Sequence, residues 1–188
     1  MVKKWKKLKC ERVFDHKYFE VNKDLVRLPN GKEIDWFYWN SNDSAMVVGE
    51  TSGNKLIMIK QYRYLPDCEV IEFPSGKVED GEDVTSGALR EFNEETGYEC
   101  KTLIKLGEFY ETYGQLNRKI HIFYGPGAKK TQNRITNNDE FEDMRVEKVG
   151  FGKALSLATE NKIIAMGSAL AVLLLREFKL KNARTTRS

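Results

Sequence analysis

The chain has 188 residues, 40% of them hydrophobic and 31% charged, and a net charge of +3. That length and balance suit one globular domain, or one domain with an added element, and exclude a disordered or fibrous polymer. So small a net charge gives no argument for nucleic acid as a partner.

Lys3, Lys4, Lys6, Lys7 and Lys9 open the chain. No apolar segment follows them, so they are not expected to be a secretion signal but a solubilising end, as are Arg184 and Arg187. Cys10, Cys68 and Cys100 are odd in number, widely spaced and without a CxxC pair, which suggests neither a disulfide framework nor a zinc site. The expected compartment is a reducing cytoplasm.

Six stretches rich in β-branched and aromatic residues are expected to be strands: IDWFYW (34–39), AMVVGE (45–50), KLIMIKQY (55–62), TLIKLGEFY (102–110), RKIHIFYG (118–125) and MRVEKVGF (144–151). Turn signals separate them, among them LPNGK at 28–32 and TSGNK at 51–55. In the first stretch Trp36 and Tyr38 share one face and Phe37 and Trp39 the other, with one of the two faces expected to be core. RKIHIFYG sets Ile120, Ile122 and Tyr124 against His121 and Phe123, so His121 is expected to pack in a strand.

Helices are expected at 83–96, capped by Asp83 and stopped by Gly97, at 152–159, and at 163–179. The last holds the apolar run IIAMGSALAVLLL, too short for a membrane span and long enough for a buried helix. Strands and helices mix without regular alternation, which points to an α+β fold.

The helix at 83–96 carries Glu91, Glu94 and Glu95 in REFNEETG. On a wheel of about 100° per residue from Val84, the residues Ala88, Phe92, Thr85 and Leu89 span about 40° to 140° and form the expected buried face. Ser86, Arg90 and Asn93 lie opposite, in the expected solvent face. Glu95, Glu91 and Glu94 fall near about 20°, 340° and 280°, on the shoulder of the buried face beside Gly87. Like charges three and four residues apart repel, and the last turn of a helix disfavours anions. A hard divalent cation would resolve both conflicts.

The segment GKVEDGEDVTSGALREFNEETGY, residues 76–98, resembles the Nudix box. Gly76 is followed after five residues by Glu82, and after seven more by Arg90, Glu91, apolar Phe92, Glu94, Glu95, Gly97 and apolar Tyr98. QYR at 61–63 followed by EFPSGKVEDGE at 72–82 is similar to the ADP-ribose and nucleoside diphosphate sugar pyrophosphatase branch. The resemblance implies a loop-helix-loop on an α/β/α sandwich and hydrolysis of a nucleoside diphosphate linked to another group. It implies Mg²⁺ or Mn²⁺ held by Glu91 and Glu95 with Glu94 and the carbonyl of Ser75, while Glu82 and Arg90 keep the loop-helix-loop in shape. It also implies an N-terminal region at 1–44 whose strands swap between protomers of a homodimer, ahead of a hydrolase domain at 45–188.

In that branch the general base is a glutamate after the last long strands, which here falls in TNNDEFEDMRV at 136–146, with Glu140 as first candidate and Glu142 as second. Arg63 would meet the diphosphate, since a planar guanidinium suits phosphate oxygens. Glu72 would hold ribose hydroxyls or brace the loop, and Trp36 and Tyr38 would stack on the base. Many ADP-ribose pyrophosphatases have a proline before the glycine of the following loop, where ETYGQLNR here has Tyr113 before Gly114, and Arg118 stands near a position often acidic. That leaves GDP-mannose and other nucleotide sugars as expected substrates beside ADP-ribose. Other readings are a nucleoside triphosphate or dinucleoside polyphosphate pyrophosphatase and a non-catalytic nucleotide-binding module. No membrane or nucleic-acid partner is expected.

Overall fold

A computed structural model describes residues 1–17, 19–131 and 144–185. The chain divides into two compact units, Met1–Asp43 with Tyr110–Lys119, and Ser44–Phe109 with Ile120–Ser188.

The first unit holds an antiparallel three-stranded sheet in the order β1 (Lys6–His16), β2 (Phe19–Arg27), β3 (Glu33–Asn40). LPNGK makes the expected turn between β2 and β3, closed by Leu28 N–H donating to the Lys32 carbonyl at 2.8 Å. Segment 110–119 is tied alongside, with Trp39 N–H on the Gln115 carbonyl at 2.7 Å and Lys119 N–H on Asp43 Oδ1 at 2.9 Å. Pairing of Phe14 with Val21 and of Val21 with Trp39 puts Phe14, Phe19, Val21, Phe37 and Trp39 on one face. The other face carries Cys10, Asn22, Asp24, Val26, Trp36 and Tyr38. Neither aromatic face of β3 is core: Phe37 and Trp39 are about half exposed, and Trp36 is exposed as well. The better buried face centres on the polar Asn22 and Asp24 instead, with Lys7 Nζ 2.8 Å from Asp24 Oδ2.

The second unit is built on a mixed seven-stranded sheet. Its central pair is parallel, β4 (Ser44–Glu50) beside β10 (Lys119–Pro126), in register from Ser44 with Ile120 to Glu50 with Pro126. Strands buried on both sides are read as continuous apolar runs, as AMVV is here. β5 (Lys55–Arg63) and β12 (Met144–Gly150) extend the sheet on one side and β9 (Ile104–Tyr110) on the other, while β6 (Cys68–Glu72) pairs with β5 and β7 (Ser75–Lys77) with β4. β8 (Tyr98–Glu99) and β11 (Lys129–Lys130) form a separate small ladder.

Alternation along β4 divides the core in two. Met46 and Val48 join Leu56, Met58, Ile122, Val172 and Leu175 under α2 (Phe151–Thr159) and α3 (Met166–Thr185). Ala45 and Val47 join Ile57, Phe123, Ala88 and Phe92 under α1 (Val84–Thr96). Helices therefore cover both faces, the expected α/β/α sandwich of an α+β fold. α3 starts at Met166 rather than 163, because Ile163 is drawn into the core with its N–H on the Leu157 carbonyl at 3.1 Å. Among the described residues no helix is long and apolar enough to cross a membrane.

Candidate active site

The site is assembled by β7, the loop after it and α1. β7 lies antiparallel to β4, Ser75 against Met46 and Gly76 against Ala45, so its backbone is fixed to the centre of the sheet. Asp83 caps α1 by accepting the N–H groups of Thr85 at 3.0 Å and Ser86 at 3.1 Å. Gly97 ends it in the left-handed region at φ 69°, its N–H on the Asn93 carbonyl at 2.7 Å.

The buried residues of α1 are Gly87, Ala88, Phe92 and Thr96, whereas Thr85, expected inside, is exposed next to the cap. The buried arc is thus rotated towards the glutamates: Glu91 and Glu95 stand between its buried residues and Glu94 at its edge beside Gly87, all three partly exposed. The Glu91 and Glu94 side chains are only 17% and 10% exposed. Glu91 lies against the backbone of Gly76, where a Cβ would come within 2.1 Å of its carboxyl carbon, so any side chain at 76 would expel it. Glu95 Oε2 accepts the Ser75 N–H at 2.9 Å.

Arg90 does not stand in solvent. It folds back over the loop, with Nε on Glu82 Oε1 and Nη2 on Glu82 Oε2, both at 3.0 Å, and Nη2 also on the Lys77 carbonyl at 3.1 Å. Its Nη1 reaches Glu91 Oε1 at 2.8 Å and Glu94 Oε2 at 3.2 Å. Glu82 further accepts the Glu79 N–H at 2.9 Å. The Arg90 hydrogen bonds, then that backbone N–H, hold the Glu82 carboxyl down at about 2, and Arg90 is itself raised. The repulsion that the sequence poses among the glutamates is therefore met by a cation of the chain.

Glu91, Glu94, Glu95 and the Ser75 backbone are thus gathered on the β7–α1 junction, a set of hard oxygen donors suited to Mg²⁺ or Mn²⁺. The guanidinium Nη1 between Glu91 and Glu94 stands in for such a cation, and on that ground the residues fit one. Among the described residues no three acidic, His or Cys side chains are placed together to hold a metal ion by themselves.

Arg63 and Glu72 are also brought together. Glu72 Oε1 accepts from Arg63 Nε at 2.9 Å and from Gln61 Nε2 at 3.1 Å, at the edge of a cavity of about 430 Å³ lined further by Tyr64, Leu65, Pro66 and Ile164. In the first unit Arg118 Nε donates to Glu111 Oε2 and lines a cavity of about 310 Å³ with Phe19, Trp39, Ser41 and Leu116. Trp36 and Tyr38 lie on the opposite face of β3. There Trp36 meets Trp5 edge-on at 5.5 Å between ring centroids, and Tyr38 lies beneath Lys7 Nζ at 6.0 Å. Phe19 and Trp39 are candidates that the sequence reading did not single out. The alternation of DWFYW offered Trp39 as readily as Trp36, and only the position of segment 110–119 separates them. His121 is buried in β10, 3.7 Å from Glu108. Glu140 and Glu142 lie outside the described residues.

A mixed sheet between helices, with a glutamate-rich loop-helix-loop fixed to its centre, defines an α/β/α fold that carries its box carboxylates on one loop-helix-loop. Residues 40–163 match the NUDIX domain and residues 5–40 match the nucleoside diphosphate sugar hydrolase N-terminal domain. The chain belongs to the Nudix family. It is 33% identical over 168 residues to a methanol dehydrogenase activator of Bacillus methanolicus, covering 89% of this chain and 90% of that one. It is 32% identical over 162 residues to an ADP-ribose pyrophosphatase of Bacillus subtilis, covering 86% and 87%. A crystal structure of an ADP compounds hydrolase superposes with a TM-score of 0.84 over 98% of both chains at 20% identity, a likeness of fold.

Proposed function

We propose that this protein hydrolyses the pyrophosphate bond of a nucleoside diphosphate sugar such as ADP-ribose or GDP-mannose, releasing a nucleoside monophosphate and a sugar phosphate. The observation that carries this reading is the seating of Glu91 on Gly76 and of Glu95 on the Ser75 backbone, which brings both box carboxylates onto β7, beside the central strand β4. Glu91, Glu95, Glu94 and the Ser75 carbonyl hold Mg²⁺, or Mn²⁺ in its place. When bound, the cation supplies charge neutralisation of the diphosphate and polarises its phosphorus. Arg63, with its planar fork, orients diphosphate oxygens, and Glu72 positions it. Glu140, with Glu142 as alternative, takes the proton of the attacking water. Trp36, Tyr38 and Arg118 contact the nucleotide. Residues 1–44 serve dimerisation and substrate contact, residues 45–188 form the hydrolase domain, and the enzyme works as a cytoplasmic homodimer with strands of its N-terminal region exchanged.

The test is a panel of ADP-ribose, GDP-mannose, other nucleotide sugars, nucleoside triphosphates and dinucleoside polyphosphates, each with Mg²⁺. Turnover of a nucleotide sugar to monophosphate and sugar phosphate is expected. Turnover confined to triphosphates or dinucleoside polyphosphates would transfer the enzyme to those substrates, and binding without cleavage of any would make it a nucleotide-binding module.

A further inference from the structure

Arg90 has two ends with different duties. Nε and Nη2 are fixed on both oxygens of Glu82 and on the Lys77 carbonyl, all at 3.0 to 3.1 Å. Nη1 rests instead on Glu91 Oε1 at 2.8 Å and Glu94 Oε2 at 3.2 Å, two of the carboxylates assigned to the cation. Those side chains are largely withdrawn from water, so their mutual repulsion is poorly screened and a positive charge between them is needed whenever no metal is there. A guanidinium suits that duty because it stays protonated and its fork can serve the loop and the helix at once.

We propose that the Nη1 end of Arg90 is a built-in placeholder cation: it keeps Glu91 and Glu94 gathered in the metal-free protein and withdraws from them when a divalent cation takes their oxygens. The inference rests on the metal-dependent reading of the site. The guanidinium is rigid and planar, so Nη1 withdraws by a tilt of the whole group about the line of its two Glu82 hydrogen bonds. The exchange is reciprocal: whatever fastens Nη1 to the carboxylates weakens metal binding by the same factor. A residue that merely braced the loop would act with the opposite sign, since its loss would weaken metal binding.

The sign is measurable in the intact chain without substrate. Mn²⁺ is titrated calorimetrically into the wild type, Arg90→Met and Glu82→Gln, and each is melted in chelator and in Mg²⁺. Arg90→Met is expected to melt lower in chelator, to bind Mn²⁺ about fivefold or more tightly than the wild type, and to gain more from Mg²⁺ on melting. Glu82→Gln, which loosens the anchored end and leaves Nη1 in competition, is expected to bind no more tightly than the wild type. Arg90→Met binding more weakly, in step with Glu82→Gln, overturns the placeholder and leaves a brace. A wild-type chain that binds no divalent cation overturns the metal-dependent reading along with it. Should Arg90→Met not fold, nitrogen-15 spectra of the wild-type arginine side chains decide: saturating Mg²⁺ is expected to move the Arg90 Nη signals while its Nε stays bonded. Unmoved Nη signals overturn the proposal.

Discussion

At the scale of the residue, Glu82 gathers two hydrogen bonds from Arg90 and one from the Glu79 backbone, and these lower its carboxyl from 4.5 to about 2. A carboxyl depressed in the folded state binds its proton more readily unfolded, so its contribution is complete above the unfolded value and is lost as pH falls through the folded one. Thermal melts of the wild type and Glu82→Gln are therefore expected to differ by a constant amount from neutral pH down to about 5, to converge below about 4.5, and to coincide near 2. A difference that stayed constant to acid pH would place the stabilisation elsewhere. For catalysis, Glu140→Gln is expected to lower the turnover number by about 10² to 10⁴ with little change in KM; an unchanged rate would move the base to Glu142. The glutamate positions were legible because spacing fixes which Cα atoms share a face. The place of Arg90 was not, since a wheel locates its Cα while a long side chain carries its charge back over the preceding loop.

At the scale of the element, α1 shows what local sequence decides. Its start and stop follow from Asp83 and Gly97, both where the sequence puts them. Asp83→Ala is expected to cost about 1 kcal/mol in chemical denaturation, the usual loss of an N-cap. Phe92, fully buried under β4, is the anchor of the same helix, and Phe92→Ala is expected to cost about 3 to 5 kcal/mol by cavity formation. β4, β5, β10 and β12 were legible through apolar runs or alternation. β1 and β2 were not delimited, because KKLKCERVFDH and FEVNKDLVR mix charge into both faces and neither face is a conventional core. The far end of the sheet holds another element-level tie: Glu50, buried in β4, accepts from the Tyr124 hydroxyl at 2.5 Å and from Lys179 Nζ of α3 at 2.7 Å. Burial, then the bond to Glu50, pushes the Tyr124 hydroxyl up.

At the scale of the whole molecule, the first unit has an aromatic face that the chain leaves in water. Phe14 and Phe19 stack at 5.4 Å and Phe19 meets Trp39 at 6.0 Å, while Phe14, Phe19, Phe37 and Trp39 are each 45% to 55% exposed. A sheet in water normally turns such residues inward and its polar residues outward, whereas here Asn22 and Asp24 take the more sheltered side. Contiguous apolar surface of this kind on a globular protein marks an interface. A second copy of the chain is the partner that the homodimeric reading supplies, and its aromatic face would meet the same need. Light scattering of the purified wild type is then expected to give twice 21.8 kDa, and the double variant Phe37→Lys with Trp39→Lys to give the single mass at the same concentration. Both residues project from one face of β3 into water, so the substitutions leave the second unit's core intact, and the variant is expected to keep its Mn²⁺ binding. A wild type of single mass would refute the dimer, and a double variant of unchanged mass would put the interface on another surface.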